Sequence, residues 1–322
     1  MQMTKKPDMK SNEKNKAQSA KRTGSMSKNT ELFLLTLPVI IYVIIFRYLP
    51  MVGVILAFKD YHNNLGIWGS PWIGFKNFEF FFKSEAAMRV TLNTLGYNAS
   101  FIVLGCIINM TVALMLNEVK NKYAIKFYQT TMFIPHFLSW VVVSFIAYAF
   151  LSPAYGILNQ IMGAFGQQTQ NWFMLPQKWP PIMISAGLWK SMGMGVLLNY
   201  AVLIGIDKSY YEAAAIDGAS KFQMIRKISI PFMIPITVIQ MILAIGRIFN
   251  SDFGLFYQLP QASTVLYKTT EVIDTYTFRA LMDSNDIGVG AAVGFYQALV
   301  GLVLVVLTNY IVKKIQPDNS LF

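Results

Sequence analysis

After residue 30 the chain is dominated by six long apolar runs separated by shorter polar stretches, at roughly 32–58, 90–116, 127–151, 181–206, 232–250 and 289–312. Each approaches or exceeds the ~20 residues that a helix needs to cross a hydrocarbon core about 30 Å thick. Hydrocarbon offers no water to backbone N–H and C=O groups, so these runs predict helices, and the fold class is an all-α polytopic membrane protein with six spans. The first run exceeds the length of a simple span and contains Pro38, Arg47 and Pro50, which predicts a tilt or kink. It is also too long for a signal-peptide core, and no small-residue cleavage site follows it.

The polar stretch 207–231, between the fourth and fifth runs, predicts structure of its own. Ser209-Tyr210-Tyr211-Glu212 has the form of a capping box, which predicts a short helix from Tyr210 continued by Ala213 to Ala215. Asp217-Gly218 should end it, since glycine accepts the left-handed conformation common at helix C-termini. Ser220-Lys221-Phe222-Gln223 offers a second capping box, and Pro231 should close the second helix. Two short helices at a sharp angle, forming a rigid knob, are expected.

Charge fixes the expected orientation. Of the net +11, much lies in residues 1–30, a Lys-, Ser- and Asn-rich tail with too few large apolar groups to fold, expected as a disordered cytoplasmic segment ahead of a permease domain at 31–322. With six alternating spans, Lys120, Lys122, Lys126, Lys208, Lys221, Arg226, Lys227, Lys313 and Lys314 fall on the side of that tail, which places both termini in the cytoplasm. The opposite loops carry Trp68, Trp72, Trp172 and Trp179, expected near a membrane interface. The longest, Ser251 to Asp286, holds Asp252, Glu271, Asp274, Asp283 and Asp286, and a loop of that length is expected to bind a partner or ligand.

Several chemistries are absent from the sequence. It contains no phosphate-cradling G-x-x-x-x-G-K-S/T stretch. His62 and His136 are the two histidines and Cys106 the single cysteine, too few and too scattered for a zinc or nucleophile cluster, so no catalytic or metal-ligating residue is expected. His136, beside Pro135, reads as a polar group at a helix break. Basic residues interleaved with aromatics, the mark of a nucleic-acid groove, do not occur away from the membrane flanks. Polar groups inside the spans are instead candidates for a solute path: Trp189, Lys190 and Asn199, then Gln240, Arg247 and Asn250, then Tyr296 and Gln297. Gln240 and Arg247 are seven apart and share a helix face, and Lys190 with Arg247 offers positive charge suited to acidic saccharides. The competing reading makes Arg247 a snorkelling residue and the amides bonds between helices.

The stretch from Glu212-Ala213-Ala214 through Asp217 and Gly218 to Ile228, Ile230 and Pro231 resembles the cytoplasmic coupling loop of ABC importer permeases, with Ile230 where a leucine is usual. The chain is similar to the maltose-type, binding-protein-dependent superfamily of type I architecture, and within it to the LplB-like polysaccharide and oligosaccharide subgroup. Tyr48-Leu49-Pro50-Met51, Gly66-Ile67-Trp68-Gly69-Ser70-Pro71-Trp72, Asn93-Thr94, Leu116-Asn117-Glu118-Val119, Pro135-His136-Phe137-Leu138-Ser139-Trp140 and Ile273-Asp274-Thr275-Tyr276 carry the narrower likeness.

The resemblance implies a permease subunit in a bacterial cell membrane that performs no covalent chemistry and binds no cofactor itself. A second homologous permease, two ATPase subunits that use ATP and Mg, an extracellular or periplasmic solute-binding protein and a saccharide substrate are implied as partners, besides membrane lipid. Glu212, Ala213, Ala214, Asp217, Gly218, Ile228 and Pro231 are implied to couple to the ATPases. The alternative is an ion-coupled secondary transporter. Such proteins usually carry intramembrane carboxylates, and the six apolar runs contain none.

Overall fold

The computed structural model describes residues 32–283 and 286–315, so the basic tail at 1–30 lies outside the described residues. The chain divides into two units, one ending at Ile55 and the other starting at Leu56. Helix α1, Leu32–Phe58, supplies the described part of the first unit and runs into the second. Its composition is apolar throughout, yet it is not a uniform α-helix. Ile44–Tyr48 form a π turn in which the Leu49 N–H bonds the Ile44 carbonyl, and a 3-10 stretch follows from Leu49. Pro50 explains this: its ring lacks an N–H and crowds the carbonyl of the preceding turn, and widening that turn relieves the clash.

The second unit is a helical bundle. Helix α2, Lys76–Lys83, leads through Ser84 into α3, Glu85–Asn117. Ser84 caps α3 by accepting from the Ala87 N–H, so this span starts earlier than the expected residue 90. The expected third span is broken into α4, Lys122–Phe137, and α5, Trp140–Leu151, which meet at 102°. Pro135 weakens the end of α4, and the Ser139 side chain caps α5 through the Val142 N–H, so two local signals agree on the break. Then come α6, Ile157–Ala164, and α7, Trp179–Ile204, followed by α8, Lys208–Ile216, and α9, Lys221–Ile245. Helices α10, Phe253–Gln258, α11, Ile273–Asp283, and α12, Ile287–Ile315, complete the chain. Among the described residues, five helices are long and apolar enough to cross a membrane, six if the bent α4–α5 pair is one span.

Close approach of α7 to its neighbours depends on missing side chains. A Cβ on Gly193 would lie 2.5 Å from the Met132 carbonyl of α4, and one on Gly187 would lie 2.6 Å from the Phe101 ring of α3. Small residues at these crossings let helix backbones approach where lipid provides no hydrophobic drive.

The end of the bundle formed by 59–84, 152–178 and 246–286 is richly folded. Trp172 and Trp179 stand in and against a buried cluster with Tyr97, Met183, Leu255 and Leu266. The Trp179 Nε1 donates to the Trp172 carbonyl and the Trp172 Nε1 to Asn159 Oδ1, so both indoles are satisfied internally. Acids of the long loop also bond internally. Asp252 caps α10 and accepts from Trp140 Nε1, and Asp274 accepts from the Ser251 N–H. Glu271, 2% exposed, takes Arg89 on one oxygen and Arg279 on the other. One face of α3 receives this segment: Asn93 donates to the Glu271 carbonyl, Tyr97 to the Thr269 carbonyl and Asn98 to the Ile248 carbonyl, while Thr94 accepts from the Ile273 N–H. Such polar groups would be costly toward hydrocarbon; here they fasten a cap.

Candidate functional sites: a basic-end knob and an amide-lined cleft

At the other end of the bundle, α8 and the start of α9 form the knob predicted between 207 and 231, with two corrections. Helix α8 starts at Lys208, because Asp207 rather than Ser209 supplies the cap, its carboxylate accepting from the Ser209 N–H at 2.9 Å. That bond holds the Asp207 carboxyl below its ordinary pKa. Glu212 is therefore released from capping and its side chain is exposed. The C-terminus of α8 is as expected. Asp217 is the cap residue, Gly218 takes φ +78°, and the Gly218 and Ala219 N–H groups bond the Ala215 and Ala214 carbonyls. This is the Schellman arrangement, which needs the left-handed residue that glycine provides.

The second correction concerns Pro231. It does not close the second helix, because α9, 25 residues long from Lys221 to Ile245, runs on through it. A π turn over Ile225–Ser229, in which the Ile230 N–H bonds the Ile225 carbonyl, absorbs the proline as the turn before Pro50 does in α1. The reciprocal capping box of Ser220 and Gln223 opens this helix as predicted. The knob is thus one short helix lashed to the end of a long one. Tyr211 Oη and Ser229 Oγ are 3.0 Å apart, and Lys221 Nζ lies 2.9 Å from Glu118 Oε2 in the α3–α4 link. Ile228 packs against the buried cluster around Leu203 and Met233, whereas Ala213, Asp217 and Gly218 are exposed beside Ile216 and Phe222. A shallow groove of about 360 Å³ runs between the two arms, floored by Ala214, Ala219 and Ile228.

Between α3, α7 and α9 lies a cleft of about 590 Å³. Phe101, Gly105 and Asn109 come from α3, Ser191, Gly195 and Asn199 from α7, and Thr237 and Gln240 from α9, with Arg247 just past its end. Asn199 donates to the Gly195 carbonyl and accepts from the Thr237 hydroxyl at 3.3 Å. Two buried atoms in the lining lack any partner among the described residues: Asn109 Oδ1, an acceptor, and Gln240 Nε2, a donor. Gly195 makes room for Asn109, since a Cβ there would lie 2.0 Å from its Nδ2. No Asp or Glu lines the cleft, so Arg247 gives it a net positive character.

Three of the eight residues predicted for a solute path, Asn199, Gln240 and Arg247, meet in this cleft. The others stand elsewhere. Lys190 Nζ donates to the His136 carbonyl at 3.0 Å and sits 5.3 Å from the Trp140 ring centre, satisfying a carbonyl freed where α4 ends. Trp189 and Asn250 are exposed. Tyr296 packs edge-on to Phe82 and Phe249, and Gln297 Nε2 donates to the Phe249 carbonyl, which braces α12 against the end of α9. Asn109 and Thr237 were missed. An amide in the run Ile107-Ile108-Asn109-Met110 was the available signal for the first.

The profile of the family described as "Binding-protein-dependent transport system inner membrane component" matches residues 101–317. The chain is 32% identical to protein LplB of Bacillus subtilis (strain 168) over 92% of each chain. It is 34% identical to the polygalacturonan/rhamnogalacturonan transport system permease protein YteP of the same organism, over 88% of each. Its fold is that of a chain in a bacterial ABC transporter involved in the import of the acidic polysaccharide alginate, at TM-score 0.83 and 31% identity, covering 92% of this chain and 99% of that one. A second structure of a bacterial alginate ABC transporter, in complex with alginate pentasaccharide-bound periplasmic protein, agrees at TM-score 0.82 and 32% identity, covering 91% and 97%.

Proposed function

Because the chain belongs to the family of binding-protein-dependent transport system inner membrane components, we propose that it forms half of the translocation path of an ATP-driven oligosaccharide importer. The cleft between α3, α7 and α9 is the solute path in this reading. One observation carries it: Asn109 Oδ1 and Gln240 Nε2 are buried without partners in a cleft whose other amide, Asn199, is satisfied. An unpaired buried acceptor and donor each cost about 1–3 kcal/mol, and a passing hydroxyl, which both donates and accepts, relieves both. Phe101 offers the apolar face that a pyranose ring presents its C–H bonds to.

The charge of the cleft favours saccharides that carry carboxylates. Arg247 makes no ion pair among the described residues, and two proteins similar to this chain are named for acidic polysaccharides. Lys190, bonded to His136 and stacked on Trp140, leaves that role to Arg247.

The knob, with Glu212, Ala213, Ala214, Asp217, Gly218, Ile228 and Pro231, is the contact for one of two cytoplasmic ATPase subunits that bind ATP and Mg. A second homologous permease completes the path, and a solute-binding protein delivers the sugar at the loop-rich end. Both chain termini are then cytoplasmic. Closure of the ATPases would push the knob, and α9, which carries knob residues at one end and Thr237 and Gln240 further along, would move the cleft wall as a rigid body.

Uptake into proteoliposomes holding the assembled importer tests this. Uptake should require both internal ATP and loaded binding protein, and an unlabelled uronate oligosaccharide should compete better than a neutral one of equal length. Uptake driven by an ion gradient without ATP would overturn the reading.

A further inference from the structure

The segment between α1 and α2 folds into a rigid loop whose largest apolar side chains point outward. Lys59 is buried, and its amine bonds the Ile67 and Trp68 carbonyls at 2.9 and 3.1 Å, closing the single turn at Gly66–Gly69. Asn77, also buried, donates to the Ala57 and Lys59 carbonyls, each at 3.0 Å. An antiparallel bridge pairs Lys59 with Trp72, and Gly66 and Gly74 take positive φ at the corners. These bonds spend the polar groups of the loop on its interior. Trp68, Trp72 and Phe75 are left 75%, 65% and 71% exposed.

The indole N–H groups sharpen the contrast. Trp140, Trp172 and Trp179, at the folded cap, each donate to a protein acceptor. Trp68 and Trp72 have no acceptor among the described residues, although the loop around them is otherwise well bonded. An indole with an exposed apolar body and a free N–H matches the boundary between acyl chains and headgroups, where ester carbonyls and phosphates accept.

Chain connectivity sets the loop at that depth. Phe58 ends α1 and Glu85 starts α3, both long enough to span, so residues 59–84 stay near one membrane surface. Helix α2 within this segment is two-faced. Phe78 and Phe82 pack against Phe295 and Tyr296 of α12, while Lys76, Glu79 and Lys83 share the opposite face, with Lys83 paired to Glu79.

We propose that residues 65–75 form a lipid foot: Trp68, Trp72 and Phe75 insert into the interfacial layer of the bilayer and fix the loop-rich end at a set depth. The occupant is membrane lipid, continuous with the lipid around the spans, and not a protein partner. The inference is independent of which solute is carried.

Fluorophore-labelled cysteines test it in proteoliposomes of the assembled importer. Trp68→Cys and Phe75→Cys, each in a Cys106→Ala background, would carry an environment-sensitive dye, with Tyr155→Cys, also highly exposed in another loop of this end, as reference. Nitroxide lipids labelled near the headgroup should quench positions 68 and 75 at least about twofold more than lipids labelled deep in the chain, while aqueous iodide reaches them poorly. Position 155 should show the reverse. Iodide quenching at 68 and 75 equal to that at 155 would overturn the proposal, and so would shielding from both lipid and iodide, which would mean that a protein covers the loop.

Discussion

Tyr211 on α8 and Ser229 in the π turn of α9 meet through their hydroxyls at 3.0 Å. Ser229 is buried, so this bond fastens the exposed knob to the helix that also carries Thr237 and Gln240. A push on α8 reaches α9 through it.

Tyr211→Phe keeps the ring and removes the bond, which costs about 1 kcal/mol, small against the stability of the whole chain. The assembled importer should therefore persist, with transport lowered more than ATP hydrolysis. The ratio of sugar moved to ATP consumed, measured in one proteoliposome preparation, should fall.

Gly218 has open space around it, so its role lies in the backbone and not in packing. At φ +78° a β-branched residue adds about 1–2 kcal/mol of strain, whereas asparagine tolerates the left-handed region. Gly218→Val should insert in the membrane yet lose most uptake, and Gly218→Asn should keep much of it. Equal loss in both would point to the missing side chain and not to φ.

Glu271 balances two guanidinium groups from a nearly dry position. Truncation leaves Arg89 and Arg279 facing each other without a counter-charge and should cost about 3 kcal/mol or more. Glu271→Ala should lower the thermal midpoint of the detergent-solubilised protein by several degrees, and removing one of the two facing cations with an additional Arg89→Met should recover part of the loss.

Asp274 is pushed above its ordinary pKa, chiefly by burial and despite the Ser251 N–H and Gln297 bonds. The folded chain then holds a proton that the unfolded chain has released, so stability declines as pH rises from the ordinary carboxylate value through the raised one. Asp274→Asn keeps an acceptor for Ser251 and carries no charge. Its midpoint should lack that decline, which thermal melts across the acidic range would show.

The spans were legible because hydrocarbon demands long apolar helices, and the end of α8 was legible because Asp217-Gly218 and Ser220 to Gln223 are local signals. What escaped was set by tertiary context. Asp207 outcompeted Ser209 as cap by lying two residues nearer the end of α7. Pro231 reads as a stop, yet the π turn before it carries the helix through. The internal bonds of Trp172, Trp179 and Glu271 were not legible, because their partners are 7 to 182 residues away and invisible to local reading. Lys190 was named for a solute path as a polar, positively charged group within a span, and its partner here, a carbonyl at the break after Pro135, lies 54 residues away in sequence. In the cleft, Asn199, Gln240 and Arg247 were found by asking which polar groups hydrocarbon penalises, and the same question put to α3 would have added Asn109.

The cleft as the solute path is tested most directly by initial uptake rates, at saturating binding protein and ATP, for the importer carrying Gln240→Leu. The side chain keeps its bulk and loses the unpartnered Nε2, so helix packing is preserved while a hydrogen bond to the passing sugar is removed. Uptake should fall by about tenfold, the equivalent of one hydrogen bond of about 1.4 kcal/mol, with expression and basal ATP hydrolysis unchanged. Uptake equal to that of the natural chain would contradict the assignment and return Gln240 to helix packing.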